Sequence, residues 1–270
     1  MTKVLVNGYL GRMGSEVVRA VCAADDLSFV GGFEPTGTAT EVSLDSKAVG
    51  PAFTDLATAL EAAQPNVVVD FTIPSSVESN IRTCMAAGVP IVVGTTGLTP
   101  EQLAALEADI PANATVFIAP NFTTGAILMM AASKLAARFF DDVEVLEFHH
   151  NRKLDAPSGT ALSTARAIAE VRAEAGLERV APGKETESAG NEGARGAFVQ
   201  EVPVHAIRSN GFVASQEVIF GSPGQTLSIR HDSIDRAAYM PGVLLAVRSV
   251  ATGSHTGLIV GLEKFMDLGF

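Results

Sequence analysis

The chain has 270 residues, 47% of them apolar, with 25 glycines, no tryptophan and a formal net charge of −11. That length holds one large domain or two ordinary ones with ample core, and the composition excludes a disordered or fibrous chain. The excess of acids argues against a nucleic-acid surface, and no apolar run reaches membrane-spanning length. Cys22 and Cys84 stand in apolar helical contexts without metal-ligand spacing, so both are expected as small buried core residues in a reducing compartment. No metal site is expected. The N-terminus enters a strand at once with no charged-then-apolar leader, which points to the cytoplasm.

Residues 3–7 (KVLVN) read as a short apolar strand. Gly8-Tyr9-Leu10-Gly11-Arg12-Met13-Gly14 follows, then a helix with Met13, Val17, Val18, Val21 and Cys22 on one face, then a strand over 27–33 that ends at Glu34. Strand, glycine turn, helix, strand and an acid 20 residues beyond the last glycine is the layout of a dinucleotide-binding βαβ unit. The spacing is GxxGxxG rather than the commoner GxGxxG, and alone it is a weak signal. The flanking elements and Glu34 give it weight. Gly8, Leu10, Gly11, Arg12, Met13 and Gly14 are therefore expected at the dinucleotide, with Glu34 on the adenosine ribose hydroxyls. Pro35 stands where a reader of the 2′-phosphate would carry arginine, while Arg12 remains available to a phosphate. The sequence leans towards NADH without excluding NADPH.

Residues 37–51 read as a polar loop, 56–63 as a short helix and 66–71 (NVVVDF) as a buried parallel strand. A helix over 75–88 ends at glycine before a strand over 89–93. Gly94-Thr95-Thr96-Gly97 then opens a turn at a strand's carboxyl end, where open α/β sheets bind ligands. A helix over 100–108, a strand over 115–118 and Ala119-Pro120-Asn121-Phe122-Thr123-Thr124-Gly125 complete a doubly wound, Rossmann-type α/β domain.

Beyond Gly125 the pattern changes. A helix over 126–140 leads to a strand over 143–148, and 176–196 reads as a mobile polar loop. Strands over 199–207, 212–220 and 225–231 come without intervening helices, the last two joined by Gly221-Ser222-Pro223-Gly224. Successive strands make an α+β domain with an open mixed or antiparallel sheet, whose free edge and face favour self-association. Asp232-Ser233 is expected to cap a final helix to 251, kinked at Pro241-Gly242. The expected division is 1–120 with 236–270 for the dinucleotide, and 121–235 for substrate and oligomerisation.

The chemistry concentrates in Glu147-Phe148-His149-His150-Asn151-Arg152-Lys153-Leu154-Asp155-Ala156-Pro157-Ser158-Gly159-Thr160-Ala161. Pro157 bars helix before it, Ser158 is a good N-cap, and apolar spacing from Leu162 to Ala169 is helical. The open N–H groups of a helix start at Ser158-Gly159-Thr160 make a carboxylate or phosphate cradle. Cations, a proton donor and an anion cradle together suggest a small dianionic substrate that must be protonated. HHNRK alone would equally suit a solvated connection, and Arg152 is expected to be one of its solvated cations.

GYLGRMG, Glu34, GTTG, APNF and above all HHNRKLDAPSGT resemble the dihydrodipicolinate reductase (4-hydroxy-tetrahydrodipicolinate reductase) family over nearly the whole chain. The resemblance implies NAD(P)H-dependent reduction of cyclic 4-hydroxy-tetrahydrodipicolinate to tetrahydrodipicolinate in the diaminopimelate route to lysine, by a homotetramer. It further implies that Gly94, Thr95, Thr96, Ala119, Pro120, Asn121 and Phe122 lie on the nicotinamide side. His149 and Lys153 would handle the proton, and Lys153, Ser158, Gly159 and Thr160 would hold a ring carboxylate, His150 having substrate or structural duty. With cofactor on one domain and this loop on the other, the two are expected to approach for hydride transfer. Tyr9-Leu10 is bulkier than the family's usual turn. Three rivals remain: another amino-acid dehydrogenase, a serine hydrolase at Ser158, which lacks the GxSxG elbow, and a non-catalytic NAD sensor, which has no need of a proton donor.

Overall fold

A computed structural model describes residues 1–177 and 193–268. It divides into two compact units, Met1–Thr124 with Arg236–Phe270, and Gly125–Asp235.

The first unit opens with β1 (Thr2–Asn7), α1 (Arg12–Ala23) and β2 (Leu27–Phe33), followed by β3 (Glu41–Leu44), β4 (Lys47–Phe53) and α2 (Leu56–Ala63). β5 (Val67–Asp70), α3 (Pro74–Ala86), β6 (Ile91–Val93), α4 (Pro100–Asp109) and β7 (Thr115–Ile118) continue it. The eight-stranded sheet runs β13-β7-β6-β5-β1-β2-β4-β3, where β13 (Gly257–Val260) is the returning C-terminal strand. Every pairing is parallel except the β3–β4 edge.

Runs such as Val67-Val68-Val69 have no polar alternation because both sheet faces are covered. Leu5, Val68, Ile91 and Val116 pack with Val77 and Ile81 of α3 and Leu106 of α4. Their alternate neighbours Val4, Val6, Val69 and Phe117 are equally buried, on the other face. α1 touches β1, β2 and α7 (Met240–Ala251), and α7 touches β5, β6 and β7.

The second unit holds α5 (Thr124–Ala136), β8 (Asp142–His149) and α6 (Gly159–Glu174), then β9 (Ala197–Val199), β10 (Val202–Arg208), β11 (Ala214–Ser222) and β12 (Gln225–Ser233). Its five-stranded sheet is mixed, in the order β12-β11-β8-β10-β9. Only β8 and β10 pair in parallel, and α6 lies between them in sequence as a parallel crossover requires. Val143, Val145, Val204, Val218 and Phe220 form the core with Ala161, Ala165 and Ile168 of α6 and Ala136 and Ala137.

Several local expectations are corrected. Residues 37–51 are not a polar loop but contain most of a hairpin, β3–β4, turned by Asp45 and Ser46 at φ +48° and +67°. Asp-Ser is not the usual glycine-bearing hairpin turn, and Gly50 and Pro51 blur the strand pattern. Cys22 is exposed, so only Cys84 is a core cysteine. The buried face of α1 is Gly14, Val17, Val18 and Val21, with Met13 half-buried. Asp232 and Ser233 do not cap a helix; they finish β12, and α7 starts at Met240 with Pro241 in its first turn, where a missing N–H costs nothing. Most of 176–196 lies outside the described residues. Among the described residues no helix is long and apolar enough to cross a membrane.

Gly242 shows how closely α7 fits. A Cβ there would lie 2.0 Å from the Phe122 carbonyl oxygen. Gly242→Ala should therefore destabilise the protein by about 1–3 kcal/mol through overpacking, read as a lower urea midpoint. An unchanged midpoint would mean that α7 shifts freely.

Candidate active site

β8 sends alternate side chains inward: Val143, Val145, then Glu147 and His149. Glu147 is fully buried, which an ionised carboxyl tolerates only when its oxygens are paired. Arg208, at the end of β10 and in register with His149, supplies both prongs of a guanidinium: Nη1 donates to Oε2 at 2.8 Å and Nη2 to Oε1 at 2.7 Å. His149 Nδ1 donates to Oε2, and the Ser158 backbone N–H donates to Oε1 at 3.1 Å. One carboxylate thus fixes a strand end, an imidazole and a helix mouth. Burial pushes the Glu147 carboxyl up, but the hydrogen bonds of His149 and Arg208 outweigh it and hold it below its usual range.

An ionised carboxylate only accepts, so Nδ1 must carry the proton and Nε2 is the ring atom left for a substrate. Arg208 Nη2 also donates to the Asp155 carbonyl at 2.8 Å, tying the loop to the same anchor. The Ala156–Pro157 peptide is cis. Ser158 caps α6 by accepting from Ala161 N–H at 3.3 Å. Its N–H is therefore committed, while its hydroxyl proton and the first-turn N–H groups of Gly159 and Thr160 are left for an anion. A Cβ on Gly159 would meet nothing within 4 Å.

Lys153 Nζ pairs with Asp155 Oδ1 at 2.8 Å, and that bond to the ammonium is the main cause holding the Asp155 carboxyl below its usual range. His150 follows the end of β8, and its Nδ1 is buried without a partner. Arg152 is exposed, as expected of a solvated cation.

In the first unit, the loops at the carboxyl ends of β1, β5, β6 and β7 come together. Gly8, at φ +76°, presses on the Phe71 carbonyl, where a Cβ would lie at 2.5 Å. Gly14 lies on the Gly8 carbonyl, where a Cβ would sit at 2.0 Å. Tyr9 is buried and packs against Gly32, so its bulk is turned inward, while Leu10, Gly11 and Arg12 are exposed. Burial, then the charge of Glu34, raises the Tyr9 hydroxyl above its usual range. Gly11 begins α1 without a side-chain cap and no acid occupies the first turn, which suits an anionic pyrophosphate.

Glu34 directly follows β2, with Oε1 accepting from Thr36 Oγ1 at 3.0 Å. Gly94 packs under Phe71, whose ring centroid is 5.7 Å from that of Phe122. Ala119 N–H donates to the Val93 carbonyl at 3.1 Å. Thr95 and Phe122 are buried, whereas Thr96 and Pro120 are exposed and Asn121 closes a turn on Thr123. Among the described residues no cluster of three or more His, Cys, Asp or Glu could hold a metal ion.

Sequence reasoning missed Glu147 as an anchor, Arg208, and the buried Asp70. Glu147 was visible in principle, as an acid on the apolar parity of VEVLEFH. Arg208 carries no local signal, because its partner is 61 residues away.

Solved structures give the fold first. An amine dehydrogenase from Mycobacterium smegmatis shares the fold at TM-score 0.65 and 14% identity, over 100% of this chain and 97% of that one. The chain thus shares the fold of that dehydrogenase. The chain belongs to the dihydrodipicolinate reductase family: "Dihydrodipicolinate reductase, N-terminus" matches residues 2–122 and "Dihydrodipicolinate reductase, C-terminus" residues 125–266. It is accordingly a nicotinamide-dependent oxidoreductase. The 4-hydroxy-tetrahydrodipicolinate reductase of Corynebacterium diphtheriae is 47% identical over 268 residues, 98% of this chain and 99% of that one. That of Streptomyces griseus is 47% identical over 269 residues, 98% of each chain. A dipicolinate-bound dihydrodipicolinate reductase from Paenisporosarcina sp. TG-14 superposes at TM-score 0.84 with 35% identity, covering 98% of this chain and 100% of that one.

The anchor has a pH signature. A carboxyl whose folded pKa lies below its ordinary 4.5 contributes stability that is present above that value and lost as pH falls through the folded pKa. Glu147→Gln should cost about 3 kcal/mol near pH 7 by leaving Arg208 uncompensated. Measured by urea unfolding, the deficit should shrink below pH 4.5; a deficit independent of pH would contradict an ionised anchor.

Proposed function

We propose that the chain reduces the cyclic 4-hydroxy-tetrahydrodipicolinate to tetrahydrodipicolinate with NADH or NADPH, in the diaminopimelate route to lysine. Family membership supports the reaction, and the observation that carries the site is the single carboxylate of Glu147 holding both His149 and the mouth of α6. The dipicolinate named in the Paenisporosarcina structure is a planar dicarboxylate, the class of ligand that the anion cradle suits.

In this reading the unit Met1–Thr124 with Arg236–Phe270 holds the dinucleotide, through Gly8, Leu10, Gly11, Arg12, Met13 and Gly14 at its pyrophosphate and Glu34 at its ribose. Gly94, Thr95, Thr96 and Ala119, Pro120, Asn121 and Phe122 line its nicotinamide end. When bound, the dinucleotide supplies a hydride. The N–H groups of Gly159 and Thr160 and the ammonium of Lys153 bind the substrate carboxylates, with His150 beside them. Ser158 shapes the cradle. With a proton on each ring nitrogen, His149 gives the one on Nε2 to the reduced ring and is left as the Nδ1–H tautomer that Glu147 holds. Lys153 both binds and orients, exchanging Asp155 for a substrate carboxylate.

The enzyme acts in the cytoplasm as a homotetramer. The open sheet face supports assembly: Phe148, Phe212 and the Arg230 guanidinium, 4.8 Å above the Phe148 ring, lie there half-buried or exposed. Light scattering should give a mass well above 28.0 kDa, and a clean monomer would contradict it.

NADH should serve at least as well as NADPH, because Glu34 is followed by Pro35 rather than arginine. A preference beyond about tenfold for NADPH would sink that argument. His149→Ala should lower turnover by roughly a hundredfold to ten-thousandfold. Lys153→Ala should raise the substrate KM and lower turnover together. NADH binding by calorimetry should survive in both, because the proposed dinucleotide residues belong to the other unit. Near-normal turnover in both variants, assayed by absorbance with enzymatically generated substrate, would remove the cluster from the reaction.

A further inference from the structure

A second buried carboxylate, Asp70 at the end of β5, is bound quite differently from Glu147. It is fully buried, and among the described residues no cation pairs with it. Its partners are neutral donors from four places in the chain. Oδ2 accepts from Asn7 Nδ2 at 3.1 Å and Asn80 Nδ2 at 2.8 Å. Oδ1 accepts from Thr72 N–H at 3.1 Å, Thr72 Oγ1 at 2.7 Å and Thr95 Oγ1 at 2.9 Å. The Thr72 backbone N–H can only donate, and both asparagine amides are turned to donate as well, a set that suits a carboxylate.

The segments so gathered are those that bear the proposed dinucleotide contacts. Asn7 is the last residue of β1, immediately before the Gly8 turn. Its amide orientation is fixed, because a flip would set its oxygen against Asp70 Oδ2. Thr95 is the second residue of the Gly94–Gly97 turn. The backbone repeats the pattern: Asp70 C=O accepts from Gly94 N–H at 2.9 Å, and Asn7 C=O accepts from Phe71 N–H at 3.2 Å. Asn7, Asp70 and Val93 stand in register across β1, β5 and β6. Asn7 Oδ1 is left as a buried acceptor without a partner at the foot of the glycine turn.

A buried anion without a countercharge is costly, and a core of this size needs none there, since aliphatic side chains fill the equivalent rows. We infer that Asp70 is a positioning residue for the dinucleotide: it holds the Gly8 turn and the Gly94–Gly97 turn in one mutual geometry without itself touching the ligand. The Thr95 hydroxyl is its link to the nicotinamide-side turn, so that Thr95 faces inward and contributes backbone, not side chain, to the groove. This rests on the dinucleotide reading given above.

The test is calorimetric titration of NADH and of NADPH, without substrate, into wild type, Asp70→Asn, Thr95→Val and Thr95→Ser, well below each melting temperature. Losing one hydrogen bond to a buried charge should weaken dinucleotide binding about tenfold in Thr95→Val, and more in Asp70→Asn, which turns a donor towards donors. Thr95→Ser, which keeps the hydroxyl bonded to Asp70, should restore wild-type dinucleotide binding. A merely structural role would lower the melting temperature while leaving the dissociation constants alone, and that outcome overturns the inference. Should Asp70→Asn fail to fold, the Thr95 pair decides it: equal binding by valine and serine variants overturns the inference too. Wild type that binds neither dinucleotide would overturn the reading beneath it instead.

Discussion

The second unit depends on one interaction, the ion pair between the buried Glu147 carboxylate and the Arg208 guanidinium. Glu147 occupies a place in the β8 row that Val143 and Val145 lead one to expect as aliphatic. Removing an ion from water is expensive, and a buried pair seldom adds net stability compared with a hydrophobic filling. What the pair does add is geometry. A carboxylate with both oxygens saturated cannot rotate, so the imidazole and the helix start that it binds inherit its orientation. The loop from His150 to Pro157 then follows, with Arg208 also fastening the Asp155 carbonyl. A functional side chain on a strand end is thereby made as rigid as the sheet.

The two units solve the same problem with different chemistry. Glu147 is offset by a guanidinium and an imidazole, and is therefore sensitive to acid. Asp70 is surrounded by amides and hydroxyls that bear no charge. The first arrangement leaves a proton carrier at the surface of the network; the second joins turns and carries no proton. In the function proposed above, such a difference fits a division of labour between proton handling in Gly125–Asp235 and ligand framing in the other unit.

Much of this was legible in the sequence because the signals were local. The glycine turn, the capped helix at Ser158, the succession of late strands and the exchange of one pattern for another near Gly125 each rest on neighbouring residues. Cys22 was misjudged because a helix face read from five positions is accurate only to about one residue in 3.6, and Cys22 falls just past the buried stripe. The β3–β4 hairpin escaped because Asp45 and Ser46 adopt positive φ without glycine. The anchors escaped for a deeper reason. Arg208 and Glu147 are 61 residues apart, as are Thr95 and Asp70 by 25, and a single chain does not reveal which polar residues fold onto which.

The most direct test is the tautomer of His149. Long-range proton–nitrogen correlation spectra of histidine-labelled protein, assigned with a His149→Asn variant, report which ring nitrogen carries the proton when the imidazole is neutral. An ionised, immobile Glu147 demands the Nδ1–H tautomer, against the Nε2–H form that free histidine prefers. An Nε2–H ring at His149 would contradict the account, because Glu147 would then accept nothing from it.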